Sequence, residues 1–333
     1  MSRKLQVGIV GAGEITRQMH LPVLLNVPDV EVAWLFDRRD QQAAALAAAY
    51  GIKAVTASSP DALPSCDVAL LAVPVNARQD YLRVFADRQA AVLCEKPFAI
   101  SSRIHLSTLE AFPPHRLGVG YMRRFYHSTF LMRELVASGW LGTLRSIRIH
   151  EGDRSKGSGV DQSFLNDQHL GVARGVLTDL GSHTVDLALH ICAAESYAIR
   201  SCEIVFDGPV DRKLSAHIEL RSSAGSSIDF DYCVSWLDRQ PNLLQLNFDH
   251  ATVWSRLAPA ATVFLGDPAH PDRCISLAAA GGATTYNQAF YLEWRSFLDG
   301  VLQEKESSVS ARSAALTTSL VEALLLHGGA ASA

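Results

Sequence analysis

The stretch VGIVGAGEITRQMH, residues 7–20, decides how the first third of the chain is read. An apolar run ends in Gly11-Ala12-Gly13 and passes at once into a helical pattern, predicted from about residue 13 to 25. Two glycines there permit a tight turn and a close approach of backbone to a pyrophosphate. The helix start, at Glu14 and Ile15, offers free N–H groups and the positive end of a dipole to the same anion. Thr16 replaces the third glycine of the usual fingerprint. The next apolar run, EVAWLF, ends in Asp37, about 20 residues past the loop, where a carboxylate accepts hydrogen bonds from ribose hydroxyls. Asp37 favours NAD over NADP, because a 2′-phosphate would meet its charge. Arg38 and Arg39 are placed either to stack on adenine or to pair with that phosphate, so NADP stays open.

Working outward, the runs DVALLAVP, AAVLCE and RLGVGYM follow, separated by the helical patterns QQAAALAAAYG and ARQDYLRVFADRQ. Near-continuous apolar strands alternating with helices predict a doubly wound parallel α/β sheet, a Rossmann domain over residues 1–122. After Phe125 the pattern changes. A helix over about 127–138 precedes longer strands: TLRSIRIHE, YAIRSCEIVF, KLSAHIELRSS, SSIDFDYCVS, NLLQLNFDHATVWSRL and ATVFLG. Their alternation predicts an open, mainly antiparallel sheet in a second α/β domain over 123–333. The last stretch returns to helix, with Phe290, Glu293, Trp294 and Phe297 spaced to pack back on the core, and only GGAASA reads as unstructured.

The 333 residues suit two domains better than one core. A net charge of −4 gives no basic surplus for nucleic acid or an anionic membrane. No apolar run approaches the roughly 20 residues of a membrane span, and the start enters a strand without room for a signal peptide. The six cysteines are scattered, without Cys-x-x-Cys spacing, which points to reduced thiols in the cytoplasm rather than a zinc or disulfide framework.

Two further segments carry chemistry. LCEKPFAI, residues 93–100, puts Glu95 and Lys96 at the end of a buried strand. Ligands of doubly wound sheets sit at the carboxyl ends of the strands, so Lys96 emerges where a ligand binds. In GVLTDLGSHTVDLALHI, residues 175–191, Asp179 and His183 are four apart, as are Asp186 and His190. Each pair shares a helix face. No further cluster completes a metal site, so no metal is expected, and Asp186 with His190 reads as a pair satisfying one another along a core helix.

GIVGAGEITRQMHLP, CEKPF, LTDLGSHTVD, VGYMRRF (residues 119–125) and QAFYLEWRSF together resemble the Gfo/Idh/MocA oxidoreductases, over nearly the whole chain. The resemblance implies a nicotinamide cofactor, a sugar or cyclitol substrate, and a dimer or tetramer formed through the open sheet. It places the family lysine on Lys96 and the family aspartate and histidine on Asp179 and His183. The histidine would exchange the hydroxyl proton, the lysine would polarise that hydroxyl, and the aspartate would position both. It adds Glu95, Lys96 and Pro97 to the cofactor side, with Glu95 orienting backbone or cofactor groups, Pro97 shaping the lysine turn, and a cis peptide before Pro97. It places Val73 and Pro74 beside the cofactor, and Tyr121 and Arg123 at the substrate. The chain departs from the family at Val73 and Arg78, where a threonine and a histidine are frequent, and at Arg174, where a glycine is. Arg174 faces either substrate or solvent, and an anionic sugar nucleotide would account for Arg123, Arg124 and Arg174 together. The polar segment 153–171 offers Arg154, Lys156, Asp167 and His169 as specificity residues. Two other readings stay open: an NAD-dependent, redox-assisted glycosidase, and a nucleotide-binding regulator without catalysis.

Overall fold

The computed structural model describes residues 3–154, 175–259, 261–278 and 281–330. The chain divides into two compact units, residues 1–122 with 286–315, and residues 123–285 with 316–333.

The first unit is built on five parallel strands: β1 (Leu5–Val10), β2 (Val30–Phe36), β3 (Val68–Leu71), β4 (Ala91–Glu95) and β5 (Leu117–Gly120). Their order is β2-β1-β3-β4-β5. Every residue of β3, β4 and β5 is buried, as a sheet covered on both faces requires. Parallel neighbours need crossovers. These are a π turn, Thr16–His20, running into α1 (Leu21–Leu24); α2 (Asp40–Tyr50), ended by Gly51 in the left-handed region; α3 (Gln79–Asp87); and α4 (Ser102–Glu110). The sequence reading lacks α4. Its start is set by Ser101, whose hydroxyl accepts from the Ile104 N–H at 3.3 Å. Strand order reverses between β1 and β3, which opens a crevice at their carboxyl ends.

The second unit begins with α5 (His127–Ser138), followed by β6 (Leu144–Gly152). A π turn, Leu177–Gly181, leads into α6 (Ser182–Ile191). Then come β7 (Ala194–Asp207), β8 (Val210–Ser222), β9 (Ser227–Ser235), β10 (Leu243–Phe248), β11 (Thr252–Arg256), β12 (Val263–Leu265) and β13 (Ile275–Leu277). They form one sheet, in the order β13-β12-β11-β10-β6-β9-β8-β7. The β6–β9 pair is parallel and the other neighbours are antiparallel. The stretch 242–257, expected as one strand, is two. The chain reverses at Asp249, whose carboxylate takes the Thr143 N–H (2.8 Å) and the Arg145 guanidinium (2.6 Å). Strand β13 is an addition to the expected set.

Of the C-terminal helices, α7 (Tyr286–Gln303) belongs to the first unit and α8 (Ala315–Ala330) largely to the second. Phe290, Trp294 and Phe297 of α7 are buried, and each phenylalanine contributes about 1.5–3 kcal/mol by leaving water. Leu320, Val321 and Leu324 of α8 join the core formed by α5, α6 and one face of the eight-stranded sheet. Helix α8 runs through Ala330, into the stretch expected to be unstructured. No helix of the described residues is long and apolar enough to cross a membrane.

Candidate active site

The loop after β1 is held by its own surroundings. Gly11 has φ of 108°, and a Cβ there would lie 2.3 Å from the Ala72 carbonyl oxygen, so the loops after β1 and β3 touch only because the residue is glycine. The Thr16 hydroxyl donates to the Gly11 carbonyl at 2.7 Å. The residue that breaks the glycine fingerprint therefore fastens the loop. Asp37 accepts from the Ala12 N–H (2.8 Å) and the Arg39 N–H (2.9 Å), and Gln42, a residue the sequence reading did not single out, donates to the Ala12 carbonyl (2.6 Å). A Cβ added at Gly13 meets nothing within 4 Å, and the N–H groups of the helix's first turn have no intrahelical acceptors. This open, donor-lined loop fits a pyrophosphate. Glu14 is exposed, with its carboxylate on Arg17, and Ile15 and Arg38 are exposed beside the loop.

The lysine turn is braced from two sides. The Lys96–Pro97 peptide is cis, as the family resemblance led us to expect. Glu95 is buried at the end of β4. One carboxylate oxygen bonds Nε2 of His20 at 2.8 Å, and the other accepts the Lys96 N–H at 3.0 Å. The Trp294 indole donates to Nδ1 of His20 at 3.0 Å. An indole N–H can only donate, so Nδ1 is an acceptor, the proton sits on Nε2, and His20 donates to Glu95. Burial works to raise the Glu95 pKa, but the His20 hydrogen bond and the charges of Lys96 and Arg78 outweigh it and hold the carboxyl below its ordinary value. On the other side, buried Arg78 donates from Nε to the Val73 carbonyl (2.9 Å) and from its terminal nitrogen to the Pro97 and Phe98 carbonyls. It ties the segment after β3 to the turn after β4. Val73 is half-buried and Pro74 exposed there, and Lys96 keeps part of its surface in solvent. Burial pushes the neighbouring Cys94 thiol up to about 11, which fits packing rather than nucleophilic chemistry.

In the second unit, Asp179 lies in the π turn and His183 in the first turn of α6. Along residues 175–189 these two alone are half-exposed; every other residue is buried. The other pair behaves differently from expectation. Asp186 takes both hydrogen bonds of a fork from Arg124 (2.8 and 2.5 Å) and a third from Thr317 (3.1 Å). His190 accepts at Nε2 from Arg133 (2.9 Å). Burial, followed by the charges of Arg124 and Arg133, drops its pKa to about 2. Each member has its own arginine, because at that depth a carboxylate needs a full counter-charge.

Of the residues expected at the substrate, Arg123 and Tyr121 are buried. Arg123 is buried and forked onto Glu151 (2.8 and 3.1 Å), so its charge is neutralised inside the second unit, as that of Arg124 is by Asp186. Tyr121 is 2% exposed, within the core of the first unit. Arg154 is exposed and donates to the Leu237 carbonyl at 2.8 Å. Lys156, Asp167, His169 and Arg174 lie outside the described residues. Among the described residues no group of three or more His, Cys, Asp or Glu is arranged to hold a metal.

Residues 5–112 match the model of an oxidoreductase family with an NAD-binding Rossmann fold, and residues 131–253 match the GFO/IDH/MocA C-terminal domain. A glucose-6-phosphate 3-dehydrogenase of Bacillus subtilis (strain 168) is 25% identical over 189 residues, 56% of this chain and 53% of that protein. An inositol 2-dehydrogenase of Corynebacterium glutamicum (strain R) is 32% identical over 172 residues, 50% of each. The chain thus spans about half the length of the curated relatives it matches. A solved 3-ketoreductase from Actinomadura kijaniata, in complex with TDP-benzene and NADP, shares the fold with a TM-score of 0.80 at 18% identity, covering 98% of both chains. With its NAD-binding domain and the companion C-terminal domain both matched, the chain belongs to the Gfo/Idh/MocA oxidoreductase family.

Proposed function

We propose that the protein is an NAD(P)-dependent oxidoreductase acting on a secondary hydroxyl, or the corresponding ketone, of a sugar, sugar nucleotide or cyclitol. The observation that carries the reading is the helix over residues 176–191, which is buried along its length up to residue 189 except at the aspartate and histidine of the family motif. A buried helix that leaves one carboxylate and one imidazole open, four residues apart, presents a proton acceptor and a group to orient it. His183 takes the hydroxyl proton in oxidation and returns it in reduction. Asp179 orients His183 and the substrate. Lys96, at the braced turn, stabilises the alkoxide as it forms. A bound nicotinamide supplies the hydride acceptor or donor, chemistry that no side chain has. Asp37 supports NAD as the preferred cofactor, since one of its oxygens sits on the Ala12 N–H of the loop that would hold the dinucleotide and its charge would oppose a 2′-phosphate. The relatives' names, a sugar phosphate dehydrogenase and a cyclitol dehydrogenase, support the substrate class. The exposed Val205 and Phe206 on β7 support a homo-oligomer through the open sheet.

The test is absorbance at 340 nm with the purified protein, NAD+ or NADP+, and a panel of aldoses, sugar phosphates, nucleotide sugars and inositols, with parallel assay for released free sugar. Reduced cofactor formed in proportion to oxidised product supports the reading. Free sugar released from a glycoside without net cofactor reduction overturns it in favour of redox-assisted cleavage.

A further inference from the structure

The helix that carries Asp179 and His183 has no side chain of its own at its N-terminus. Residue 175, just before the helix, is glycine, so the first N–H groups must find acceptors elsewhere. The acceptor comes from a strand 34 residues away: Oδ2 of Asp211 on β8 takes the Leu177 N–H at 2.7 Å. Asp211 is fully buried, and its other oxygen has no partner among the described residues. The fit is close. A Cβ at residue 175 would lie 1.6 Å from Oδ1 and 2.0 Å from Cγ of Asp211, so only glycine admits the carboxyl over the helix end. Six residues further on a second close approach at a glycine recurs. A Cβ at Gly181 would lie 2.7 Å from the Tyr232 hydroxyl, and that hydroxyl bonds the Thr184 hydroxyl at 3.0 Å. Asp179 lies between these two glycine notches, and His183 directly before the threonine.

A buried carboxylate is costly, and one with an oxygen that has no partner among the described residues is costlier. Packing does not explain its use here, since an apolar residue at 211 would fill the volume without that cost. The feature it does explain is the helix end. The N–H of Leu177, two residues before Asp179, is fixed by a rigid strand rather than by a loop. We propose that Asp211 is a positioning residue for the proton-transfer helix, setting the angle at which Asp179 and His183 are presented, with Gly175 kept small to admit it. The proposal rests on the reading that Asp179 and His183 carry the chemistry.

The test compares wild type with D211A, D211N and G175A by hydrogen–deuterium exchange of peptides spanning residues 176–184, with β1 peptides as the internal reference. D211A removes the acceptor and is expected to speed local exchange about tenfold, the scale of a lost helix cap. D211N keeps an acceptor oxygen in place and is expected to restore protection. G175A, which pushes the carboxyl aside, is expected to reproduce the D211A pattern and serves where D211A does not fold. On a substrate oxidised in the panel, D211A should lower kcat with the Kd for NAD+ unchanged, and D211N should recover it. The inference is overturned if neither D211A nor G175A changes exchange at 176–184, if D211N fails to restore protection, or if D211A keeps wild-type kcat while H183N is inactive. If H183N itself keeps full turnover, the catalytic reading of the helix fails, a result separate from the exchange measurement.

Discussion

Asp211 also makes a quantitative prediction about stability. Burial pushes its carboxyl from 3.8 up to about 7, against the opposing hydrogen bonds from the Leu177 N–H and its own N–H. Since the folded value is raised, the folded state binds the proton more tightly than the unfolded chain does. The stabilisation is complete below pH 3.8 and is lost as pH rises through about 7. The rise corresponds to on the order of 4 kcal/mol of preference for the protonated group. The carboxamide introduced by Asp211→Asn cannot ionise, so the substitution removes this slope and leaves every other titration in place. The assay is urea unfolding of wild type and D211N at pH 5 and pH 8, followed by far-UV circular dichroism. The difference between the two proteins should shift in favour of D211N by about 2–3 kcal/mol between those pH values, most of it below pH 7. A difference that stays constant with pH would refute the claim that burial holds the Asp211 carboxyl above its ordinary range.

Three other expectations follow from the same geometry. Asp186→Ala leaves the 2%-exposed Arg124 guanidinium without its counter-charge and should cost about 3–5 kcal/mol in urea unfolding, where a solvated pair would cost less than about 1. Trp294→Phe keeps an aromatic ring but withdraws the N–H that makes Nδ1 of His20 an acceptor. It should cost about 1–3 kcal/mol, and an unchanged unfolding midpoint would contradict the assigned tautomer. Arg78→Lys keeps the charge but loses the fork that reaches the Val73, Pro97 and Phe98 carbonyls. It should cost about 1.5–3 kcal/mol and lower kcat more than it raises the Kd for NAD+, measured by steady-state kinetics and calorimetry.

The parallel sheet was legible because its strands are short apolar runs, buried on both faces and bounded by turn residues. The run 242–257 misled for the opposite reason. Its reversal at Asp249-His250 contains neither glycine nor proline, and it is made by bonds to Thr143 and Arg145 more than a hundred residues away. Helix α4 was missed because the residues it buries, His105 and Thr108, are polar, although Ser101 carries a capping signal. The candidate site divides the same way. Gly11, Gly13, Asp37, Lys96, Asp179 and His183 stand in local motifs whose spacing survives in one sequence. Arg123 and Arg124 show their charge but not their partners, since Glu151 and Asp186 lie 28 and 62 residues on. His20, Trp294, Arg78 and Asp211 act through bonds that join distant segments, and no short window of sequence contains both ends.

The central claim is that Lys96 and His183 serve hydride transfer rather than folding or cofactor binding. The most direct measurement is single-turnover formation of NADH at 340 nm with K96A and H183N, on the substrate oxidised by wild type, alongside calorimetric binding of NAD+. The account predicts a fall of about 10²–10⁴ in the rate of the chemical step for each variant, with folding intact and NAD+ binding within a few fold of wild type. A wild-type rate in either variant would contradict it.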